Sequence, residues 1–185
     1  MHRIMNVAVL IGSLRQASLS RKLANALIDS TPDTLHASIV EIGTLPLFND
    51  DLEADPPTEW TVFRNQVRAA DAMLFVTPEY IRSIPGALKN AIDVGSRPYG
   101  SAPLANKPAG VVSQTPGPMG GVGANMAVRQ PLMFLNMAVM PQPEGYFANT
   151  SSMFDDRGNV ISEDARASIR DYMNSFGKWA SRIVG

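Results

Sequence analysis

Val7 to Arg21 reads VAVLIGSLRQASLSR, and this stretch decides the fold. Five apolar residues, Val7 to Ile11, make a short unbroken run that suits a strand buried on both faces of a parallel sheet. Gly12 ends the run. Ser13, Ser18 and Ser20 then crowd a short loop with Arg15 and Arg21, before Leu23 to Ile28 (LANALI) takes up helical spacing. Strand, hydroxyl-rich turn and helix start bring backbone N–H donors and the positive end of a helix dipole to one point. Hydroxyls and a guanidinium add charge-assisted bonds to an anion held there. A plainer reading, in which the serines only cap the helix, fits the same residues.

The chain narrows the kind of anion. No GxxxxGK[ST] occurs, so the loop is not a Walker A, and no GxGxxG follows the first strand, which argues against a pyrophosphate-held dinucleotide. A thiol phosphatase needs a cysteine, and there is none. A phospho-receiver needs carboxylates at the strand end, where Gly12 and Ser13 stand. A monophosphate held by hydroxyls, amides and one arginine remains.

Composition bounds the class. The 185 residues suit one domain, residues 1–185, with 45% hydrophobic and 18% charged residues as in a globular fold. A net charge of −1 argues against nucleic acid or an anionic membrane as the main partner. No apolar run reaches the roughly 20 residues of a membrane span. The N-terminal MHRIMNVAVLIG lacks a small-residue cleavage site, and its removal would delete the first strand, so a signal peptide is not expected. The lack of cysteine excludes disulfides and thiolate metal sites and fits a cytoplasmic protein. His2 and His36 stand in no metal-ligand spacing.

Outward from the first helix, strand and helix alternate. Ser38–Ile42 (SIVEI) reads as a second strand. The long loop after it, GTLPLFNDDLEADPP, holds Phe48 and Asp50; long loops are often functional, although a solvated acidic loop explains it as well. Asp55 with Pro56 and Pro57 marks a helix start, and Trp60, Phe63, Val67 and Ala70 follow at helical spacing. Ala72–Val76 is a third buried strand. Pro78 to Asp93 (PEYIRSIPGALKNAID) begins as a stiff turn, with Ser83 expected to cap a helix that carries Pro85 in its first turn.

Lys107–Ser113 supplies a fourth strand, and Gln114–Ala124 a glycine-rich loop that lets backbone approach a flat ligand or another chain. A helix from about Asn125 to Leu135 should be kinked or split by Pro131. Ala138–Met140 is a short fifth strand. The last helix begins near Ser162 with Glu163 and Asp164 in its first turn, and its Ile169, Tyr172, Met173 and Phe176 face reads as core. The expected architecture is α/β, a doubly wound five-stranded parallel sheet of order 2-1-3-4-5 with helices on both faces. The serine loop, the Pro78–Arg82 turn and the glycine loop then share the carboxyl edge, where ligands bind.

Four quoted motifs stand in one order: GSLRQASLSRKLA, LPLFNDDLE, TPEYIRSIPGALKNAID with a nearby SRP, and the glycine loop before AVRQ. In this the chain resembles the NADPH-dependent FMN reductase family over about residues 6 to 145, nearest to its bacterial chromate and quinone reductases, some of them azoreductases. The resemblance implies a flavodoxin-like fold, bound FMN, NADPH or NADH as donor, and homodimers or homotetramers. It implies an enzyme that passes a hydride through FMN to a small acceptor (quinone, flavin, azo compound or chromate) by a ping-pong mechanism. Carried onto this chain, Ser13, Arg15, Ser18 and Ser20 hold the FMN phosphate; Pro78, Glu79, Tyr80 and Ile81, with Ser83, lie along the isoalloxazine; Gln114, Thr115 and Gly117 line the ribityl and ring side.

Two positions depart from the family. Asparagine is common where Ile81 stands, and tryptophan where Val94 stands, so acceptor preference is expected to differ. Glu79 and Tyr80 either donate protons or shape the turn. Arg82 is either a solvated or paired surface residue or a fork for a phosphate of the nicotinamide donor. Phe48 and Asp50 are assigned to the substrate side, on a loop expected to cross a two-fold interface. A flavodoxin-type electron carrier and a flavin-dependent docking or regulatory protein are the alternatives to an enzyme; the near-neutral charge counts against the carrier.

Overall fold

The computed structural model describes residues 3–185, so His2 lies outside the described residues. The first strand, β1, spans Met5–Ile11 and is buried at every position but Asn6. The second, β2, spans Leu35–Ile39, not Ser38–Ile42. Its burial alternates, with Leu35 and Ala37 inside and His36 and Ser38 exposed, as befits an edge strand with one face on the core. Val40 and Ile42 follow the strand and pack beside Trp60 and Phe63. An apolar count alone drew the expected strand toward them.

The third and fourth strands, β3 (Ala72–Pro78) and β4 (Pro108–Gln114), are buried throughout. Both run further toward the carboxyl edge than the apolar runs suggest, which carries Pro78 and Gln114 into the ladder as partners. The fifth position is filled in two pieces. β5, only Ala138–Val139, pairs with Pro108 and Ala109; β6, Gly145–Phe147, pairs with Val112 to Gln114. β6 is a strand the sequence reading missed. Gly145 makes it possible, because a Cβ there would stand 2.9 Å from the Tyr172 ring and 3.0 Å from the Val111 carbonyl.

All pairings are parallel, in the order β2-β1-β3-β4-β5, with β6 beside β4. Alternate side chains of the central strands feed two apolar layers. Val7, Val9, Leu74 and Val76 meet α1 (Leu19–Asp29) and α5 (Glu163–Val184) through Leu23, Leu27, Met173 and Phe176. Ala8, Leu10, Met73 and Phe75 meet α2 (Thr58–Ala69), α3 (Gly86–Gly95) and α4 (Val122–Phe134) through Trp60, Phe63, Leu88, Ile92 and Val128. Each fully buried side chain of this size contributes about 1.5–3 kcal/mol. The sheet is doubly wound, as expected.

Three local expectations change. Ser83 does not cap α3; Pro85 is the N-cap and offers no side-chain bond, while Ser83 closes a turn described below. Pro131 does not split α4, which begins at Val122 and runs through the proline to Phe134. Only the last turn lies beyond Pro131, and Leu132 and Leu135 anchor it in the core. The last helix starts as expected, with the Ser162 hydroxyl accepting from the Ala165 amide.

Candidate functional site

The order 2-1-3-4-5 reverses direction between β1 and β3, so their loops diverge and leave a crevice at the carboxyl edge. Gly12 closes the two strands tightly there: its amide donates to the Val76 carbonyl at 2.8 Å. A Cβ on Gly12 would stand 3.0 Å from the Thr77 hydroxyl and 3.2 Å from the Pro78 ring. The serine loop is therefore held against the start of the Pro78 turn.

Within the loop, Ser18 is the N-cap of α1, its hydroxyl oxygen accepting from the Arg21 amide at 3.1 Å. The capping reading is right for this oxygen, and the hydroxyl proton remains to donate. The Ser13 hydroxyl accepts from the Arg15 amide at 3.4 Å. First-turn amides of Leu19 and Ser20 have no helical carbonyl to bond. The two arginines differ. Arg21 grips Glu41 with both terminal guanidinium nitrogens, at 2.8 and 2.9 Å, and its pKa is raised, chiefly by that hydrogen bond. Arg15 is exposed and takes part in none of the ion pairs among the described residues. Serine hydroxyls, first-turn amides and an exposed arginine thus belong to the one loop that leads into α1.

Past Pro78 the chain makes a tight turn in which Tyr80 and Ser83 exchange backbone bonds of 3.1 and 3.0 Å. Its central residues, Ile81 (φ 50°) and Arg82 (φ 61°), are both left-handed, the conformation of a type I′ turn. Neither is glycine or asparagine. For a side chain other than those, this conformation costs roughly 1–2 kcal/mol per residue. Tyr80 is 44% and Ile81 98% exposed. Glu79, by contrast, is tucked in: one oxygen accepts from Arg82 Nη1 at 3.1 Å and the other from the Ala124 amide at 3.2 Å. A carboxylate on the first turn of α4 meets the positive end of that helix. Of its two readings, the turn-shaping one is what these bonds support. Arg82 is paired as well, and its Nη1 also lies 3.4 Å from Met119 Sδ.

The glycine loop comes up to this turn. Gly120 and Gly121 have φ of 61° and 74°, and a Cβ on Gly123 would stand 2.8 Å from the Arg82 carbonyl and 2.9 Å from Glu79. Gln114 links the loops: its amide nitrogen donates to the Ser20 hydroxyl at 2.9 Å, and its oxygen accepts from the Thr150 hydroxyl at 2.6 Å. All three side chains are buried. With its oxygen already accepting, Ser20 keeps its proton to donate elsewhere. Thr115 donates its amide to Phe147, and Gly117 accepts from the Asn149 amide at 2.9 Å. Phe147, Asn149 and Thr150 thus brace the glycine loop. Sequence reasoning missed them; the Gly145-Tyr146-Phe147 run, short and apolar after two prolines, was the available signal.

Phe48 and Asp50 find other partners. The Phe48 amide donates to Asn90 at 2.7 Å and its ring stacks on Trp60 at 5.5 Å. The Arg97 guanidinium lies 5.4 Å from the Phe48 ring and 3.8 Å from Tyr99, and its Nε lies 3.5 Å from Asp50. The loop is pinned to α2, α3 and the segment after α3. A cavity of about 570 Å³ opens between β6 and α5, walled in part by Tyr146, Asn149, Asp164 and Tyr172. None of the serine-loop residues lines it.

Comparison with known proteins shows the family. The family model for NADPH-dependent FMN reductase matches residues 5–151. A quinone reductase of Pseudomonas putida is 51% identical over 180 residues, covering 97% of this chain and 96% of its own. A 2-hydroxy-1,4-benzoquinone reductase of a Burkholderia species is 38% identical over 175 residues, covering 95% and 96%. The structure of FerB, a flavoenzyme NAD(P)H:(acceptor) oxidoreductase from Paracoccus denitrificans, superposes with a TM-score of 0.91 at 35% identity, covering 97% of this chain and 98% of that one. A match over most of the chain, with the serine loop, the Pro78 turn and the glycine loop gathered at one sheet edge, places this chain in the NADPH-dependent FMN reductase family.

Proposed function

We propose that the chain is an NAD(P)H oxidoreductase that reduces quinones through FMN bound at the carboxyl edge of β1 and β3. The observation that carries this is the loop leading into α1, which holds the buried Ser13 and Ser18 hydroxyls and an exposed Arg15 that takes part in no ion pair among the described residues. Such a donor set fits a phosphate monoester. A Cβ on Gly117 would find only Thr115, at 3.9 Å, so the backbone there is open to a ligand.

When bound, FMN supplies the redox chemistry, accepting a hydride from the nicotinamide and returning two electrons to the acceptor. Protein residues bind and orient. Ser13, Arg15, Ser18 and Ser20 hold the phosphate. Pro78, Glu79, Tyr80, Ile81 and Ser83 form one wall, and Gln114, Thr115 and Gly117 the other. Glu79 fixes the wall to α4 rather than moving a proton. Arg82 is assigned to a phosphate of NADPH or NADH.

Donor and acceptor use one face in turn, a ping-pong scheme. The acceptor is a quinone: the 51% and 38% identical relatives bear quinone reductase names. Chromate, azo compounds and free flavin are secondary acceptors of the same open face. Residues 1–185 act as one flavodoxin-like FMN-binding domain, since both apolar layers pack on one sheet. We place it in the cytoplasm, as a homodimer or homotetramer with small-molecule partners and no nucleic acid or membrane; no described helix is long and apolar enough to cross a bilayer. Steady-state NADPH oxidation by the FMN-loaded protein with a quinone tests this reading, and absence of quinone-dependent turnover rejects it.

A further inference from the structure

Ile81 is opposed by its surroundings on two counts. It is β-branched at φ 50°, a conformation that favours glycine or asparagine, and its side chain is 98% exposed. It therefore buries almost nothing in return for the strained backbone, and the fold gains nothing from it. Strain kept without a structural return is a mark of functional positions. The position is the tip of the turn that leaves β3 at the switch point, with the glycine loop against its other side through Arg82 and Gly123.

The neighbours define what such a tip would touch. Tyr80, 44% exposed, precedes it, and Met119, 55% exposed, lies against Arg82. The turn and the loop that meets it thus present an apolar lip of exposed side chains. An apolar lip does little for a small hydrophilic ion such as chromate. It adds contact area for a fused hydrocarbon ring that projects beyond the reacting one.

Resting on the quinone-reductase reading above, we propose that Ile81 is an acceptor-specificity residue that selects ring-fused quinones over single-ring or ionic acceptors.

The test uses FMN-loaded holoenzyme at saturating NADPH, with kcat/KM measured for an uncharged naphthoquinone and for ferricyanide. In Ile81→Asn the ratio of the two should fall about fivefold to tenfold through the quinone KM, the effect of losing part of an isoleucine contact. Its Tm should rise, since asparagine accepts the left-handed conformation. Ile81→Leu, apolar but not β-branched, should keep the ratio within about twofold. An unchanged ratio in Ile81→Asn, or an equal fall in both variants, overturns the proposal. A wild-type enzyme that oxidises NADPH with ferricyanide but not with the naphthoquinone overturns it too, while NADPH oxidation stands. A wild type inactive with every acceptor removes the quinone-reductase reading itself and this proposal with it.

Discussion

The Glu79 carboxylate accepts the Ala124 amide at 3.2 Å, so the residue that follows β3 caps the first turn of α4. One side chain thereby ties the Pro78 turn to the glycine loop. Replacing it tests whether the two walls are held by this bond. Glu79→Ala should lower stability by about 1–2 kcal/mol, as the loss of a cap and a helix-dipole charge does, and Glu79→Gln by less. Chemical denaturation measures both. Equal stability of wild type and Glu79→Ala would show that the walls are held otherwise.

Arg15 carries the assignment of the phosphate. Among the described residues its guanidinium has no ion pair to lose, so Arg15→Ala should leave the fold intact. FMN binding should weaken by about 1.5–3 kcal/mol, the loss of a charge-assisted contact. Flavin fluorescence titration reads the affinity and circular dichroism the fold. Unchanged affinity in a folded protein would move the phosphate elsewhere.

Much of this site was legible because its chemistry is written in short runs. Val7–Ile11 and Ala72–Val76 are apolar throughout, and such runs mark central parallel strands. The serine loop and the glycine loop announce themselves by composition. Legibility failed where tertiary partners decide. β2 slipped because Leu35 and Ala37 bury one face only, a pattern weaker than the apolar Val40 and Ile42 beside it. β6 was invisible because its three residues gain strand structure only by lying against Val112–Gln114. Ser83 looked like a cap, but its backbone closes a turn. Nothing in Ile81 or Arg82 favours a positive φ, so that turn is imposed by the Tyr80–Ser83 bonds and the contacts around it. The Thr150–Gln114–Ser20 chain joins residues far apart in sequence, and spacing cannot show that.

Among the described residues Arg82 has Glu79 as its one ionic partner, and its side chain is 74% exposed. Its remaining N–H donors are available to a phosphate. Arg82→Ala should raise the KM for NADPH roughly threefold to tenfold, an exposed charge-assisted contact being worth less than a buried one. FMN content should not change. Stopped-flow flavin reduction across NADPH concentrations reads the saturation curve, and an unaltered curve assigns Arg82 to the surface.

The loop of Phe48 and Asp50 is rigidly mounted, by Asn90, Trp60 and Arg97, and leaves Leu47 80% exposed. A rigid loop with an exposed apolar tip suits a two-fold interface near the flavin pocket. Sedimentation at micromolar concentration should give a dimer or tetramer, and Leu47→Asp should weaken it. A fully active monomer would contradict this assignment.

Electron transfer from a nicotinamide donor through FMN at the crevice of β1 and β3, as proposed above, can be watched directly. The direct measurement is anaerobic mixing of FMN-loaded protein with NADPH, followed by a quinone, while the visible absorbance of the flavin is recorded. Rapid bleaching that saturates with NADPH and full recovery on adding the quinone are expected, with both phases lost when FMN is removed. Absorbance that NADPH leaves unchanged in the loaded protein would contradict it.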